Sequence, residues 1–120
     1  MHRGRFLLWV LTALLLAACD NVNFVERVEI VNGTSYTARV DVSGEDGGWL
    51  ALATVSAGSS REVREVIDQG PTWTFRFVYA GYDPVELTIA RPDLVDAGWR
   101  VEVPDELEER LRDAGVAPPP

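Results

Sequence analysis

The chain is poor in the side chains that most enzymes use. It contains no lysine, so all 11 of its basic residues are arginine, and its single histidine and single cysteine are His2 and Cys19. Beyond residue 19 it therefore offers no Ser-His-Asp or Cys-His arrangement, no His or Cys metal ligand, no disulfide and no lysine for Schiff-base chemistry. We predict no catalytic residues, no metal and no cofactor, and we expect that the protein is not an enzyme.

The N-terminus combines a basic start with a short apolar run. His2, Arg3 and Arg5 precede an almost unbroken apolar stretch from Phe6 to Ala18. This stretch is about 13 residues long, whereas a helix that spans a bilayer needs about 20. A basic start, a short apolar core and a small-residue exit are typical of a cleaved secretory signal peptide.

The end of this run carries a family resemblance. Leu16-Ala17-Ala18-Cys19 resembles the lipobox of bacterial lipoproteins, and the resemblance covers the first 19 or 20 residues. It implies cleavage between Ala18 and Cys19, a diacylglyceryl group on the Cys19 thiol and further acylation of the new N-terminus, for example with palmitate. Two or three acyl chains anchor a protein stably to membrane lipid, whereas one is marginal. The alternative is an ordinary secretory signal with an incidental cysteine.

The same resemblance implies a location in the bacterial cell envelope, on the extracytoplasmic or periplasmic side of the membrane. Asp20, directly after the cysteine, resembles the enteric-type signal for retention in the inner membrane. The tether from Asp20 to Phe24 extends at most about 17 Å. We therefore expect the following domain to lie close to the bilayer.

Removal of residues 1–18 leaves a small and strongly acidic chain. Its 102 residues suit a single domain with one modest core. Nine arginines face nineteen acidic residues, a net charge of about −10. An acidic balance of this size disfavours nucleic acid as a partner.

The pattern after the tether predicts an all-β protein. Short alternating apolar stretches are separated by turn residues about every 8 to 12 positions, which is typical of a sandwich of about seven strands. We predict an antiparallel β-sandwich that is immunoglobulin-like or related, with its strand order left open. The predicted segments are a signal peptide at 1–18, a lipidated tether at 19–24, the sandwich at 25–103, a C-terminal helix at 104–115 and a Pro-rich tail at 116–120.

Two local patterns refine the strand prediction. Asn32-Gly33-Thr34-Ser35 predicts a turn after the first strand, and Asn-Gly is a strong signal for a hairpin to the second strand. Val63 and Val66 break strict alternation within the strand from Arg61 to Ile67, which predicts a β-bulge there. The alternating charges of that strand predict either an edge protected against aggregation or a charged docking edge for a partner.

The C-terminal segment predicts a helix that docks on the sandwich. Asp105 and Glu108 have the spacing of a capping box, and Gly115 supplies a stop. Leu107 and Leu111 lie one turn apart on the face that we expect to be buried.

The aromatic residues allow two interpretations. Trp73, Phe75, Phe77 and Tyr79 alternate along the clearest strand, and they form either the core between the sheets or a binding platform for sugar or peptide. We favour the core. Outside this stripe, Tyr82 in a turn and Trp49 are the candidates for exposed ligand contacts.

The acidic residues carry weaker signals. Asp41, Glu45 and Asp46 precede a Gly-Gly pair, but their spacing does not match an EF-hand loop, so we predict no metal site. Asn32-Gly33-Thr34 matches a glycosylation sequon, which we interpret as a turn. A carboxylate-only hydrolase would need two acids about 5 to 9.5 Å apart in a pocket, and no pair is marked.

These observations favour a membrane-anchored lipoprotein with a non-enzymatic binding or structural module. We expect an envelope protein as its partner, bound at a sheet edge or at loop tips. The alternative is a module that binds envelope polysaccharide through Tyr82 or Trp49 with nearby acids.

Overall fold

The computed structural model describes residues 23–119. The predicted signal peptide, the cleavage site at Ala18 and Cys19, Asp20 and Pro120 lie outside the described residues. The described part contains seven strands and two helices: β1 Phe24–Val31, β2 Ala38–Ser43, β3 Trp49–Val55, β4 Ser60–Ile67, β5 Thr72–Val78, β6 Val85–Ala90, α1 Arg91–Asp96, β7 Arg100–Glu102 and α2 Asp105–Asp113. Neither helix of this part is long and apolar enough to cross a membrane.

The strands form two sheets. One has three strands in the order β4-β1-β7, and the other has four in the order β3-β2-β5-β6. All neighbours are antiparallel except β1 and β7, which are parallel. The predicted all-β sandwich with a short C-terminal helix is thus confirmed. Its strand order differs from that of an antibody constant domain, where the first, second, fifth and fourth strands share one sheet.

The aromatic stripe on β5 lies in the core. Trp73, Phe75 and Phe77 are completely buried between the sheets, as the core interpretation predicts. Their rings stack along the strand, with centroids 6.1 Å apart for Trp73 and Phe75 and 6.5 Å for Phe75 and Phe77. Tyr79 is half-buried and meets the buried Tyr36 edge to face at 5.6 Å.

The hairpin predicted at Asn32-Gly33 is wrong, because β1 and β2 belong to different sheets. The chain crosses between the sheets here, and the buried side chain of Asn32 holds the crossing. Its Nδ2 donates to the carbonyls of Tyr36 at 2.8 Å and Val55 at 3.0 Å, while its Oδ1 accepts from the amide and hydroxyl of Thr34. Asn32-Gly33-Thr34 is therefore a turn, as we expected. Both the nitrogen and the oxygen of the Asn32 side-chain amide are hydrogen-bonded to protein groups.

The β-bulge predicted in β4 is also wrong. The register of β4 against β1 is constant from Phe24–Ile67 to Val31–Ser60, so no residue is inserted. Instead, Glu65 adopts a φ of 53°, a left-handed conformation that lets both Val63 and Val66 face the core. The register shift in the fold lies between β2 and β3, at Val40 and Asp41.

Helix α2 docks as predicted but is not capped as predicted. Leu107 and Leu111 are buried, and Gly115 ends the helix with a φ of 76°. However, the N-cap is Pro104, without a side-chain cap, and Asp105 is already the first helical residue.

Glu108 bonds outside the helix instead of completing a capping box. Its Oε1 accepts from the Ser35 amide at 3.1 Å and from Arg112 at 3.1 Å. Hydrogen bonds from the side chain and backbone of Ser35, with the Arg112 charge, lower the pKa of Glu108 below its usual value.

The sandwich has two distinct ends. The N-terminal end comprises the start of β1, the end of β4, the loops 44–48 and 68–71 and the start of α1. The opposite end comprises the crossing at 32–37, the turn 79–84 and α2.

Candidate binding surfaces

The outer face of the four-stranded sheet carries a cluster of Asp41, Arg76 and Trp49. Asp41 and Arg76 are cross-strand partners on β2 and β5, so their side chains leave the same face. Asp41 is only 5% exposed, and its Oδ2 accepts from Arg76 Nη2 at 2.9 Å and from Arg39 Nη2 at 3.4 Å. The Arg76 guanidinium also lies over the Trp49 ring, 4.0 Å from its centroid.

This cluster explains why Trp49 is exposed rather than buried. Trp49 pairs with Ser43, two residues from Asp41 on the same strand, and so points away from the core. It is 41% exposed, but Arg76 occupies one face of its indole. The exposed part of the indole can contact an aromatic or sugar ring, next to the guanidinium groups of Arg39 and Arg76 and the carboxylate of Asp41.

The other predicted contact, Tyr82, lies at the opposite end of the sandwich. It is 42% exposed, and its ring lies 5.8 Å from that of Tyr79. A notch of about 280 Å³ separates it from α2 and is lined by Tyr82, Asp83, Leu107, Arg110, Leu111 and Ala114.

Trp49 and Tyr82 do not form one platform. Trp49 lies at the level of Thr74 on β5, whereas Tyr82 follows the end of that strand at Val78. Four strand residues span about 13 Å before the turn begins. Each aromatic residue would therefore have to bind a ligand alone.

A surface that the sequence did not reveal lies on the open side of the sandwich. Strands β6 and β7 are the edges of their sheets on this side. Between them runs a groove of about 580 Å³, lined by Leu87, Ile89, Ala97, Arg100, Val101, Glu102, Val103, Pro104 and Asp105.

Both edges of this groove present main-chain hydrogen-bonding groups. The carbonyl of Trp99 and the amide of Val103 bond to β1, so the alternating groups of Arg100 and Glu102 point away from it. The Arg100 amide donates to the Ala97 carbonyl at 3.4 Å, so the edge offers the Arg100 carbonyl and the main-chain groups of Glu102. At the end of β6, the Arg91 amide donates to the Pro71 carbonyl. Arg91 and every second residue before it therefore direct their main-chain groups toward β5. The amides and carbonyls of Glu86 and Thr88 therefore face the edge.

Such an arrangement can add an extended peptide as a further strand. Main-chain groups supply affinity in this mode, and the alternate side chains of the peptide enter the groove. The strand order was needed to find this surface, because alternation in the sequence does not say which strands lie at edges.

The charged edge predicted around Arg61 is confirmed as an edge. β4 is the outer strand of its sheet, and Arg64 pairs with Glu62 at 3.1 Å on its exposed side. This ion pairing along an exposed strand suits protection against sheet-to-sheet association.

The acids that faintly resemble a calcium loop are not brought together as ligands. Asp41 is bonded to arginines, while Glu45 and Asp46 lie in an exposed loop. Within residues 23–119, no group of three or more His, Cys, Asp and Glu side chains is placed to hold a metal ion.

An ion pair ties the start of α1 to the loop after β4. Arg91 donates from Nε and Nη2 to Asp68 Oδ2 at 3.1 and 2.9 Å, and the Gly70 amide donates to Asp68 Oδ1 at 2.9 Å. Desolvation raises the pKa of Asp68, but these hydrogen bonds and the Arg91 charge outweigh it, so the pKa lies below its usual value.

We predict a pH-dependent contribution from this pair. Because the pKa of Asp68 is lower in the folded state, its stabilisation is present above the unfolded pKa of about 4 and is lost as the pH falls through the folded pKa. Asp68→Asn should reduce the free energy of unfolding by about 1 kcal/mol at neutral pH. In urea titrations the deficit should shrink on acidification. Asp83→Asn in the exposed turn is the control, and a deficit that does not change with pH would contradict the assignment.

The described residues define a seven-stranded β-sandwich with a groove between two free edges. Comparison with protein-family models, curated proteins and solved structures found no match to this chain.

Proposed function

We propose that the chain is a lipid-anchored lipoprotein of the bacterial cell envelope whose sandwich is a non-enzymatic binding or structural module. The lipobox-like Leu16-Ala17-Ala18-Cys19 supports the anchor, with acylated Cys19 held in membrane lipid. The domain then lies on the extracytoplasmic side, and Asp20 favours the inner membrane.

The observation that carries the binding part of the proposal is the groove between β6 and β7. Its apolar floor of Leu87, Ile89 and Val101 lies between two strand edges with outward-facing main-chain groups. A partner protein of the envelope binds there through an extended segment, which pairs with β7 or β6 and places alternate apolar side chains in the groove. The charged β4 edge on the other side of the sandwich is protected from the same reaction.

We predict that the partner can be captured at the groove. A photo-crosslinking amino acid in place of Glu102, whose side chain is 74% exposed at the β7 edge, should form a discrete adduct with an envelope protein in intact cells. The matched control is the same replacement at Arg64 on the β4 edge, which is 80% exposed. Equal or absent adducts at the two positions would contradict binding at the groove, and turnover of an envelope substrate by the purified protein would contradict a non-enzymatic role.

A second candidate function is binding of envelope polysaccharide. The exposure of Trp49 beside Arg76 and the buried Asp41 favours it, because a sugar ring can stack on the free indole face while polar groups bond its hydroxyls. Tyr82 lies too far away to contribute to the same site.

A further inference from the structure

The exposed apolar side chains are unevenly distributed over the sandwich. The large ones with the greatest exposure are Phe24, Trp49, Ile67, Tyr82 and Val95. Phe24, Trp49 and Ile67 belong to the N-terminal end, from which the chain continues toward Cys19, and Val95 lies on α1, which begins at that end. Scattered apolar residues need no explanation, but a concentration at one end indicates a surface that contacts something apolar.

Phe24 and Ile67 form the centre of this apolar end. They are direct cross-strand partners at the start of β1 and the end of β4, so their side chains lie side by side on the outer face of the three-stranded sheet. They are 58% and 45% exposed.

Trp49 and Val95 extend the apolar end around the sandwich. Trp49 lies at the same end on the outer face of the other sheet, at the level of Thr74. Val95 lies on α1, which begins directly after the pairing of Ala90 with Thr72. Phe24, Ile67 and Trp49 thus lie at one end on the outer faces of the two sheets, and Val95 follows on the helix that begins there. Aromatic and aliphatic side chains are the ones that interfacial proteins place in the headgroup region.

The length of the tether restricts what this end can meet. Five residues lead from Cys19 to Phe24, and they extend at most about 17 Å. β1 then carries the chain about 26 Å further from that point to the opposite end. A protein held at Cys19 by lipid thus has its N-terminal end next to the bilayer, whereas Tyr82 comes near it only if the domain lies flat.

We propose that the N-terminal end of the sandwich rests on the lipid bilayer, with Phe24, Ile67, Trp49 and Val95 in the headgroup and upper acyl region. This inference rests on the proposed lipid anchor. It fixes the orientation of the domain and directs α2 and the Tyr82 turn away from the membrane. The groove between β6 and β7 then opens sideways, where a partner in the same membrane can reach it.

The charged residues at this end indicate whether it can contact zwitterionic or anionic lipid. Glu45 and Asp46 lie in the loop before Trp49, and Asp93 and Asp96 lie on α1 beside Val95. Arg91 is already paired with Asp68, and Arg39 and Arg76 beside Trp49 exceed their partner Asp41 by only one charge, so acidic residues still predominate. A zwitterionic surface therefore suits this end, and anionic lipid repels it.

Site-directed spin labelling tests the proposal on the full lipidated protein in phosphatidylcholine vesicles. Ile67→Cys is labelled at the N-terminal end and Tyr82→Cys at the opposite end, two positions of almost equal exposure at 45% and 42%. The native cysteine does not interfere, because the proposed anchor occupies its thiol. Collision rates are measured with oxygen, which concentrates in lipid, and with a water-soluble nickel complex.

We expect the Ile67 label to gain oxygen collisions and to lose nickel collisions several-fold relative to the Tyr82 label. Loss of both kinds of collision at Ile67 would mean that protein, such as a second copy of this chain, covers the patch, and would overturn the proposal. Equal nickel collisions at both positions would place the patch in water and would also overturn it. In both cases the protein still floats with the vesicles, whereas failure of the anchor itself would leave it unbound.

Charge substitution gives an independent readout. Phe24→Asp combined with Ile67→Asp should restore nickel collisions to a label at Val95→Cys, whereas Tyr82→Asp should not. Both substituted residues are exposed, so the fold should persist. Phosphatidylglycerol in the vesicles should also increase the nickel collisions of the Val95 label. Fewer nickel collisions with this anionic lipid would contradict the proposed preference for a zwitterionic surface.

Discussion

Cys19→Ala is expected to abolish stable membrane anchoring and normal processing. The thiol is the proposed acceptor of the diacylglyceryl group, and without it the lipoprotein route of cleavage before residue 19 is closed. The variant would lack the two or three proposed acyl chains, which are what would keep the protein in lipid. Fractionation and detergent-phase partitioning should find the variant either released or larger by the uncleaved segment.

Asp20→Ser provides the control for this experiment. It leaves Leu16-Ala17-Ala18-Cys19 intact, so lipidation and cleavage should proceed, while the inner-membrane preference that Asp20 suggests should be lost. Complete membrane retention of Cys19→Ala with normal cleavage would contradict lipidation at this residue.

Asn32→Ala is expected to reduce the free energy of unfolding by about 3 kcal/mol, because two buried backbone carbonyls each lose a donor, although the Tyr36 carbonyl keeps the Thr34 hydroxyl at 3.0 Å. These carbonyls belong to Tyr36 and Val55, and the Thr34 amide and hydroxyl lose their acceptor at the same time. Chemical denaturation with fluorescence of the buried Trp73 measures the change. Thr34→Val retains both amide donors of Asn32 and should be milder, although the Tyr36 amide loses the Thr34 hydroxyl as its acceptor at 3.2 Å.

Gly33→Ala separates this crossing from the hairpin that the sequence suggests. A type I′ hairpin needs a positive φ at both central residues, and alanine there would be strained. Gly33 has no positive φ, and an added Cβ meets no atom within 4 Å. Gly33→Ala should therefore be nearly neutral, and a penalty as large as that of Asn32→Ala would contradict the observed crossing.

Asn32 shows which features of the fold can be predicted from local sequence patterns and which cannot. Alternation along Trp73, Phe75 and Phe77 identifies which face of a strand is buried, because successive side chains point to opposite faces. It does not identify the neighbouring strand. The Asn-Gly signal predicts a change of direction, but it does not reveal the long-range bond to Val55, which accompanies a crossing to the other sheet instead of a hairpin.

The candidate surfaces, too, were only partly predictable from the sequence. The exposure of Trp49 and Tyr82 was predictable from their positions at a strand start and in a turn, but their separation to opposite ends depends on register. The groove between β6 and β7 depends on strand order and has no local signal. Likewise, the capping box failed because Glu108 has a tertiary partner in Ser35, which no pattern within the helix reveals.

The proposed orientation on the membrane relates the proposed anchor to these surfaces. Phe24 begins β1 five residues after Cys19, so the position of the proposed acyl chains and the apolar end of the domain are set by the same short segment. Charges at that end, the protected β4 edge and the open groove then face distinct directions. Each surface can be altered separately, since no two of them share a side chain that we propose to change.

Intact mass spectrometry of the protein extracted from membranes tests the anchor most directly. We predict a chain that begins at Cys19 and carries the added mass of a diacylglyceryl group and an acyl chain, with both modifications on the first residue in fragment spectra. A chain that begins elsewhere, or one that begins at an unmodified Cys19, would contradict the lipoprotein assignment and with it the proposed orientation on the bilayer.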